Sequence, residues 1–126
     1  MGKWFLKFAS YESPNDIFEL VKSGKKIIET RPRNKESSKD YSNIKPGEIL
    51  VMQSNDTGER IEKTVTFLHK YESVEDLAES EPVNKILPDI KSPEQLIEVF
   101  EELKKKWGKR YAEKLEKYGI AAIGFK

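Results

Sequence analysis

This sequence predicts an α+β fold: a small, mainly antiparallel β-barrel with helices inserted between its strands. Three observations lead there. Aromatic or β-branched runs open the chain (residues 3–9), occupy its middle (residues 49–53 and 60–71) and close it (residues 120–125). Stretches with helical spacing of apolar residues lie between these runs. The two middle runs are joined only by Asn55-Asp56-Thr57-Gly58 and its neighbours. That link is too short for a crossover, so the strands it joins must be antiparallel. Closing a sheet of this kind on itself is the economical way to bury its apolar face.

The chain of 126 residues is read as one domain, residues 1–126, long enough for a single core. Lys and Arg number 23 against 22 Asp and Glu, so there is no global basic field, and any nucleic-acid binding must come from a local patch. With no Cys and a single His, His69, the chain lacks disulfides, thiol nucleophiles and the usual zinc sets. No cofactor or metal is expected. The N-terminus carries no apolar run of signal length, and no segment is apolar enough to span a bilayer. The expectation is a cytoplasmic monomer with no membrane partner.

Taken in order, Lys3-Trp-Phe-Leu-Lys-Phe-Ala9 is a first strand. Ser13-Pro14 provides a helix start, with Asp16 three residues past the cap and Ile17, Phe18, Leu20 and Val21 as the apolar stripe. Gly24 suits the left-handed residue that ends such a helix. A short charged strand follows, and then a polar loop over residues 34–43. Lys45-Pro46-Gly47-Glu48 is a tight turn feeding the third strand. The fourth runs from about Arg60 to Tyr71, with Ile61, Val65 and Phe67 alternating against Glu62, Thr64 and Thr66. Ser73 caps a short helix with Leu77 and Ala78, and a poorly periodic connector leads to Ser92-Pro93-Glu94-Gln95. That quartet is a helix start in which Gln95 is placed to complete a capping box. Leu96, Val99, Phe100, Leu103 and Trp107 form the stripe of a long amphipathic helix. Tyr111, Leu115 and Tyr118 continue it beyond Gly108, as a second helix or a bent extension. The closing run Ile120–Phe125 is apolar on both faces and belongs inside the sheet.

The stretch Ser23-Gly-Lys-Lys-Ile-Ile-Glu-Thr-Arg-Pro-Arg33 places charges where a core strand would carry none. In extended backbone Ile27, Glu29 and Arg31 share one face, and Lys26, Ile28 and Thr30 the other. Lys26 stands at the strand mouth, where its stem can curl to either side. Two readings stand: a site, or an edge strand whose charges block aggregation.

These residues resemble a known family. Gly24-x-Lys26-x-x-Glu29-x-Arg31, followed by Ile44-Lys45-Pro46-Gly47-Glu48-Ile49, is similar to the ASCH domain of the PUA-like superfamily. Tyr71-x-Ser73 before the short helix, and Glu116-Lys-Tyr-Gly-Ile120 before the last strand, extend the likeness over nearly the whole chain. The resemblance implies a PUA-like β-barrel with a cleft beside the Lys-bearing strand that binds RNA or a nucleotide. It also offers an alternative, since related amidohydrolases deacetylate acetylcytidine. Those enzymes use a Lys after Gly-x, a Thr three residues on, and a Glu in the helix after the long strand. Lys26 matches the first position, Glu29 stands at the second, and either Glu79 or Glu81 lies in the region of the third. A third reading is a regulatory protein-interaction module.

Candidate ligand-binding residues are therefore Lys26, Glu29, Arg31, Arg33, Tyr41 and Tyr71, and candidate catalytic residues are Lys26 and Glu29. Arg31 and Arg33 can clamp a phosphate or carboxylate bidentately, with Lys26 as a point charge. Glu29 can accept an exocyclic amine or serve as a base, or simply orient Lys26 and Arg31. Tyr41 and Tyr71 can stack on a base, or be half-buried packing residues. His69, in phase with Val65 and Phe67, reads as a partly buried structural imidazole. The Trp107, Tyr111 and Tyr118 stripe reads as core, and Lys104–Lys106, interleaved with Glu101 and Glu102, as a solvated face. The expected partners are RNA, single-stranded nucleic acid or a modified nucleoside.

Overall fold

The computed structural model describes residues 2–8, 17–34 and 40–126. Five strands, β1 (Lys3–Phe8), β2 (Ile28–Pro32), β3 (Ile49–Ser54), β4 (Arg60–Tyr71) and β5 (Ile120–Phe125), form one curled sheet in the order β1-β3-β4-β5-β2. Three of the four pairings are antiparallel, and β1 runs parallel to β3. The result is a half-barrel with β1 and β2 at its two open edges. The expected antiparallel pair across the short turn is present as β3 and β4. All six residues of β5 are buried, because it is flanked by β4 and β2 and covered on both faces.

Two apolar clusters hold the sheet. One fills the curl, from Leu6, Phe8, Val21, Leu50, Met52, Ile123 and Phe125 among others. The other lies on the outer face, where Ile28, Ile120 and Ala122 meet the helices. Alternation along β5 thus sends Ile123 and Phe125 to one core and Ile120 and Ala122 to the other, as period-2 side chains require.

The same alternation breaks on β4. Val65 pairs with Phe125 and Phe67 with Gly124, leaving Thr66 as an extra residue in the ladder. Such a bulge shifts every later side chain by one position. Val65 therefore faces the curl while Phe67 and Tyr71 face the helices. The sequence pattern that put Val65, Phe67 and His69 in one phase is corrected here: His69 shares its face with Phe67. The Phe67 ring lies against Gly124, where any Cβ would collide with it.

The helices follow their start and stop signals. Helix α1 (Ile17–Lys22) ends at Gly24, whose φ of +83° is the left-handed conformation expected there. The Ser13-Pro14 start lies outside the described residues, as does much of the polar loop. Ser73 caps α2 (Val74–Ser80) by accepting from Asp76 N at 3.1 Å, and Ser92 caps α4 (Pro93–Trp107) by accepting from Gln95 N at 3.2 Å. The Gln95 side chain does not close the capping box on Ser92. It accepts instead from Lys91 N, at 2.6 Å. Between them the connector contains a one-turn helix, α3 (Val83–Ile86), that periodicity is too short to reveal. Helix α5 (Lys109–Tyr118) is a second helix rather than an extension, since Gly108 at φ +88° turns the chain. Among the described residues, no helix is long and apolar enough to cross a membrane.

Candidate functional site

The first turn of β2 explains why its charges are where they are. As an edge strand, β2 has one side paired with β5 and one side open. The Ile27 carbonyl accepts from Phe125 N, so the Ile28 carbonyl, one residue on, points to the open side. The Lys26 stem curls back and its ammonium donates to that carbonyl at 2.8 Å. A second N–H goes to the carbonyl of Ile86 at 2.7 Å, which closes α3 and has no further helical turn to serve. The Glu29 carboxylate stands 3.5 Å from the ammonium, accepts the open-side N–H of Thr30 at 2.8 Å and pairs with Arg31 Nη2 at 3.2 Å. Lys26, just ahead of β2, and Glu29 within it therefore cap the unpaired edge of that strand.

Both groups are buried, Lys26 at 2 % exposure and Glu29 at 8 %. Desolvation dominates at Lys26 and lowers its pKa from the ordinary lysine value, although Glu29 opposes the shift. Burial alone would raise Glu29, but the Lys26 and Arg31 cations and the Thr30 N–H overcome it and hold the carboxyl below its usual range. Each group thus favours the charged form of the other, while burial works against the charge on both.

Arg31 reaches across the mouth of the half-barrel. Its guanidinium lies over the rings of Phe8 and Tyr41, at 5.5 and 5.7 Å, and approaches the Lys7 carbonyl of the opposite edge strand at 3.4 Å. Tyr41 opens a single 3-10 turn, Tyr41–Asn43, that Asp40 caps by accepting from Ser42 N. Between these edges and α4–α5 lies a cleft of about 700 Å³, a size usual for ligand sites. Lys26, Glu29, Arg31 and Tyr41 line its floor and near side, while Phe100, Leu103, Trp107, Arg110, Tyr111 and Lys114 line its far wall.

The structure brings together four of the six residues the sequence singled out. Arg33 does not line the cleft; its guanidinium lies near Asp40 and its Nε is buried without a hydrogen-bond partner. Tyr71 is also elsewhere, on the helix-facing side of β4. Its hydroxyl donates to Glu81 Oε1 at 2.7 Å, and burial together with that carboxylate pushes its pKa up to about 12. His69 Nδ1 meets the same oxygen at 2.6 Å, while its ring stacks on Phe67 with centroids 4.4 Å apart. With 52 % of its side chain exposed, His69 is more open than the partly buried imidazole expected. Glu81 is buried and Glu79 exposed, and neither lines the cleft.

Sequence reasoning missed the far wall. Trp107 is 53 % exposed rather than core, and Tyr111, partly buried, sits close enough to Glu29 to feel its charge. Desolvation, reinforced by Glu29, pushes the Tyr111 phenol up to about 12, so it remains a hydrogen-bond donor at neutral pH. The Arg110, Tyr111, Lys114 spacing was available in the sequence as one helical face. Nothing local told which way that face points.

No family model matches the chain, and no curated protein does. Two solved structures are similar along nearly their whole length. The hypothetical protein PH0355 is 27 % identical with a TM-score of 0.71, over 99 % of this chain and 98 % of that one. Protein PF0455 from Pyrococcus furiosus, solved in solution by NMR, is 27 % identical with a TM-score of 0.62, over 99 % and 96 %. The half-barrel is therefore an architecture shared with those two proteins.

Proposed function

We propose that this chain is an ASCH-type module of the PUA-like superfamily that binds RNA, single-stranded nucleic acid or a related nucleotide in the cleft beside β2. The observation that carries the reading is the cleft's charge. Among the described residues its lining includes Lys7, Lys26, Arg31, Lys106, Arg110 and Lys114, against the single carboxylate of Glu29. The whole chain has a net charge of only +1, so this asymmetry is local, which supports an anionic ligand there.

Roles follow from which donors are free to act. Lys26 has two N–H groups committed to carbonyls and a carboxylate beside the third, so it anchors Glu29. Arg31, a quarter exposed, keeps guanidinium edges for a phosphate. Glu29, ionised, accepts from an exocyclic amine, and Tyr111 donates. Hydrolysis of acetylcytidine is the second reading, and the buried Lys26–Glu29 pair motivates it. A carboxylate held below its usual pKa is a weak base, and the Lys26 nitrogen is tied to two backbone carbonyls that hold it in place, so binding ranks first.

The test is a fluorescence-anisotropy titration of labelled single-stranded RNA at low and moderate salt. Binding that weakens with salt and is lost in Arg31→Ala supports the reading. A folded protein that binds no strand at any salt rejects it. Incubation with acetylcytidine, beside Lys26→Ala, decides the second reading: turnover by the parent that the variant lacks would promote it.

A further inference from the structure

We infer that the corner where α4 meets α5 is a second contact for the same ligand: a stacking platform at Trp107, flanked by phosphate-binding Arg110 and Lys114, for an unpaired base of a single-stranded nucleic acid. The inference rests on the reading above and extends the ligand from a lone nucleotide at β2 to a strand.

Three features converge there. Trp107 is the last residue of α4, on the stripe whose Leu96 and Phe100 are fully packed, yet it is 53 % exposed at the cleft rim. Gly108 then turns the chain, so that α5 begins at once and presents Arg110 and Lys114, four residues apart on one helical face, to the same cleft. The helices also sort their charges. Lys104, Lys105 and Lys109 are paired with Glu101, Glu102 and Glu113, whereas Arg110 and Lys114 have no ion-pair partner among the described residues. Cations left without carboxylates beside an open indole match a base with its phosphates, because any base offers a π-face and the backbone a charge at each step. The wall between the two contacts is apolar, from Val99, Phe100 and Leu103.

The experiment uses the full chain and fluorescein-labelled pyrimidine strands of about twelve nucleotides, within the usual site size of such surfaces. RNA and DNA versions separate the two sources of the strand, and an abasic DNA of equal length removes the bases but keeps the phosphates. Trp107→Ala should weaken the base-bearing strands by roughly five- to a hundred-fold, the range of one lost stack, and leave the abasic strand unchanged. Trp107→Phe should recover most of the loss. Arg110→Ala with Lys114→Ala should weaken all strands and flatten the log–log salt dependence by about 1.4, from about 0.7 per phosphate contact. Because Trp107 and Arg110 are exposed and Lys114 is outside the core, thermal melts should match the parent's. A parent that binds, is abolished by Arg31→Ala, and is indifferent to both corner variants overturns this inference while leaving the β2 site standing. A parent that binds no strand overturns both. An acidic peptide bound as tightly as RNA, with Trp107→Ala without effect, overturns the stacking platform.

Discussion

Two buried carboxylates, Glu29 and Glu81, are each 8 % exposed, and each is held by two side chains, yet they serve different ends. Glu29 sits between Lys26 and Arg31 at the open edge of β2, on the floor of a cleft. Glu81 closes α2 and takes an imidazole and a phenol from the outer face of β4, away from that cleft. The first has more positive charge around it than it neutralises, and the surplus faces a cavity. The second has polar partners that fit it and stand outside that cleft. What separates the two clusters is therefore the residual charge and where it points, since burial is the same in both.

The severest way to break the comparison is to remove the frame both share. β5 lies between β4 and β2, the strands that carry the two clusters. Deleting its last residues, 121–126, should leave no cooperative thermal transition by circular dichroism. A melt close to the parent's would contradict the central placement of β5.

Next comes Lys26→Met, which strands a buried carboxylate and two carbonyls. Breaking a buried pair in this way costs about 3–5 kcal/mol, a large share of the about 5–15 kcal/mol that holds a domain together. Urea unfolding measures it. Adding Glu29→Gln should recover part of the loss, since the uncompensated charge is gone. A double variant as unstable as the single one would mean that the pair is not coupled.

Glu81→Gln is milder. It keeps an acceptor for Tyr71 but weakens two charge-assisted bonds, for a cost of about 1–3 kcal/mol. It should leave RNA affinity within error of the parent, whereas Glu29→Gln should change it. Equal effects of the two variants on binding would erase the distinction. Tyr71→Phe, which removes one hydroxyl, should cost about 0.5–1.5 kcal/mol.

The smallest effects are read by pH. Glu29's pKa is depressed in the folded state, so its stabilising contribution is in place above the usual carboxylate range and disappears as acid carries pH down through the folded value. Glu29→Gln should accordingly flatten the acid limb of stability against pH. Tyr71 and Tyr111, both raised to about 12, favour the fold below pH 10, and that contribution fades as pH climbs towards 12. In absorbance titrations each Tyr→Phe variant should remove one late-ionising phenol.

Much of this molecule was legible in its sequence, and the reason is local. Gly24 needed a left-handed backbone, Ser73 and Ser92 needed only their own next turns, and the short link after β3 forced an antiparallel neighbour. The apolar closing run required burial on both faces, and β5 has it. Lys26, Glu29 and Arg31 stood out because a short strand has no local use for that many charges. What the sequence could not decide depended on partners far along the chain. The bulge at Thr66 turned Phe67, His69 and Tyr71 to the outer face, and only pairing with β5 determines where a ladder skips a residue. Lys26 found the carbonyl of Ile86, sixty residues away, at the end of a helix too short to leave a periodic signal. Trp107 carries the spacing of a core residue but stands exposed at the last position of its helix, beside the turn at Gly108. Side-chain spacing fixes which residues share a face, and only the packing of one element on another decides whether that face meets a core, a cleft or water.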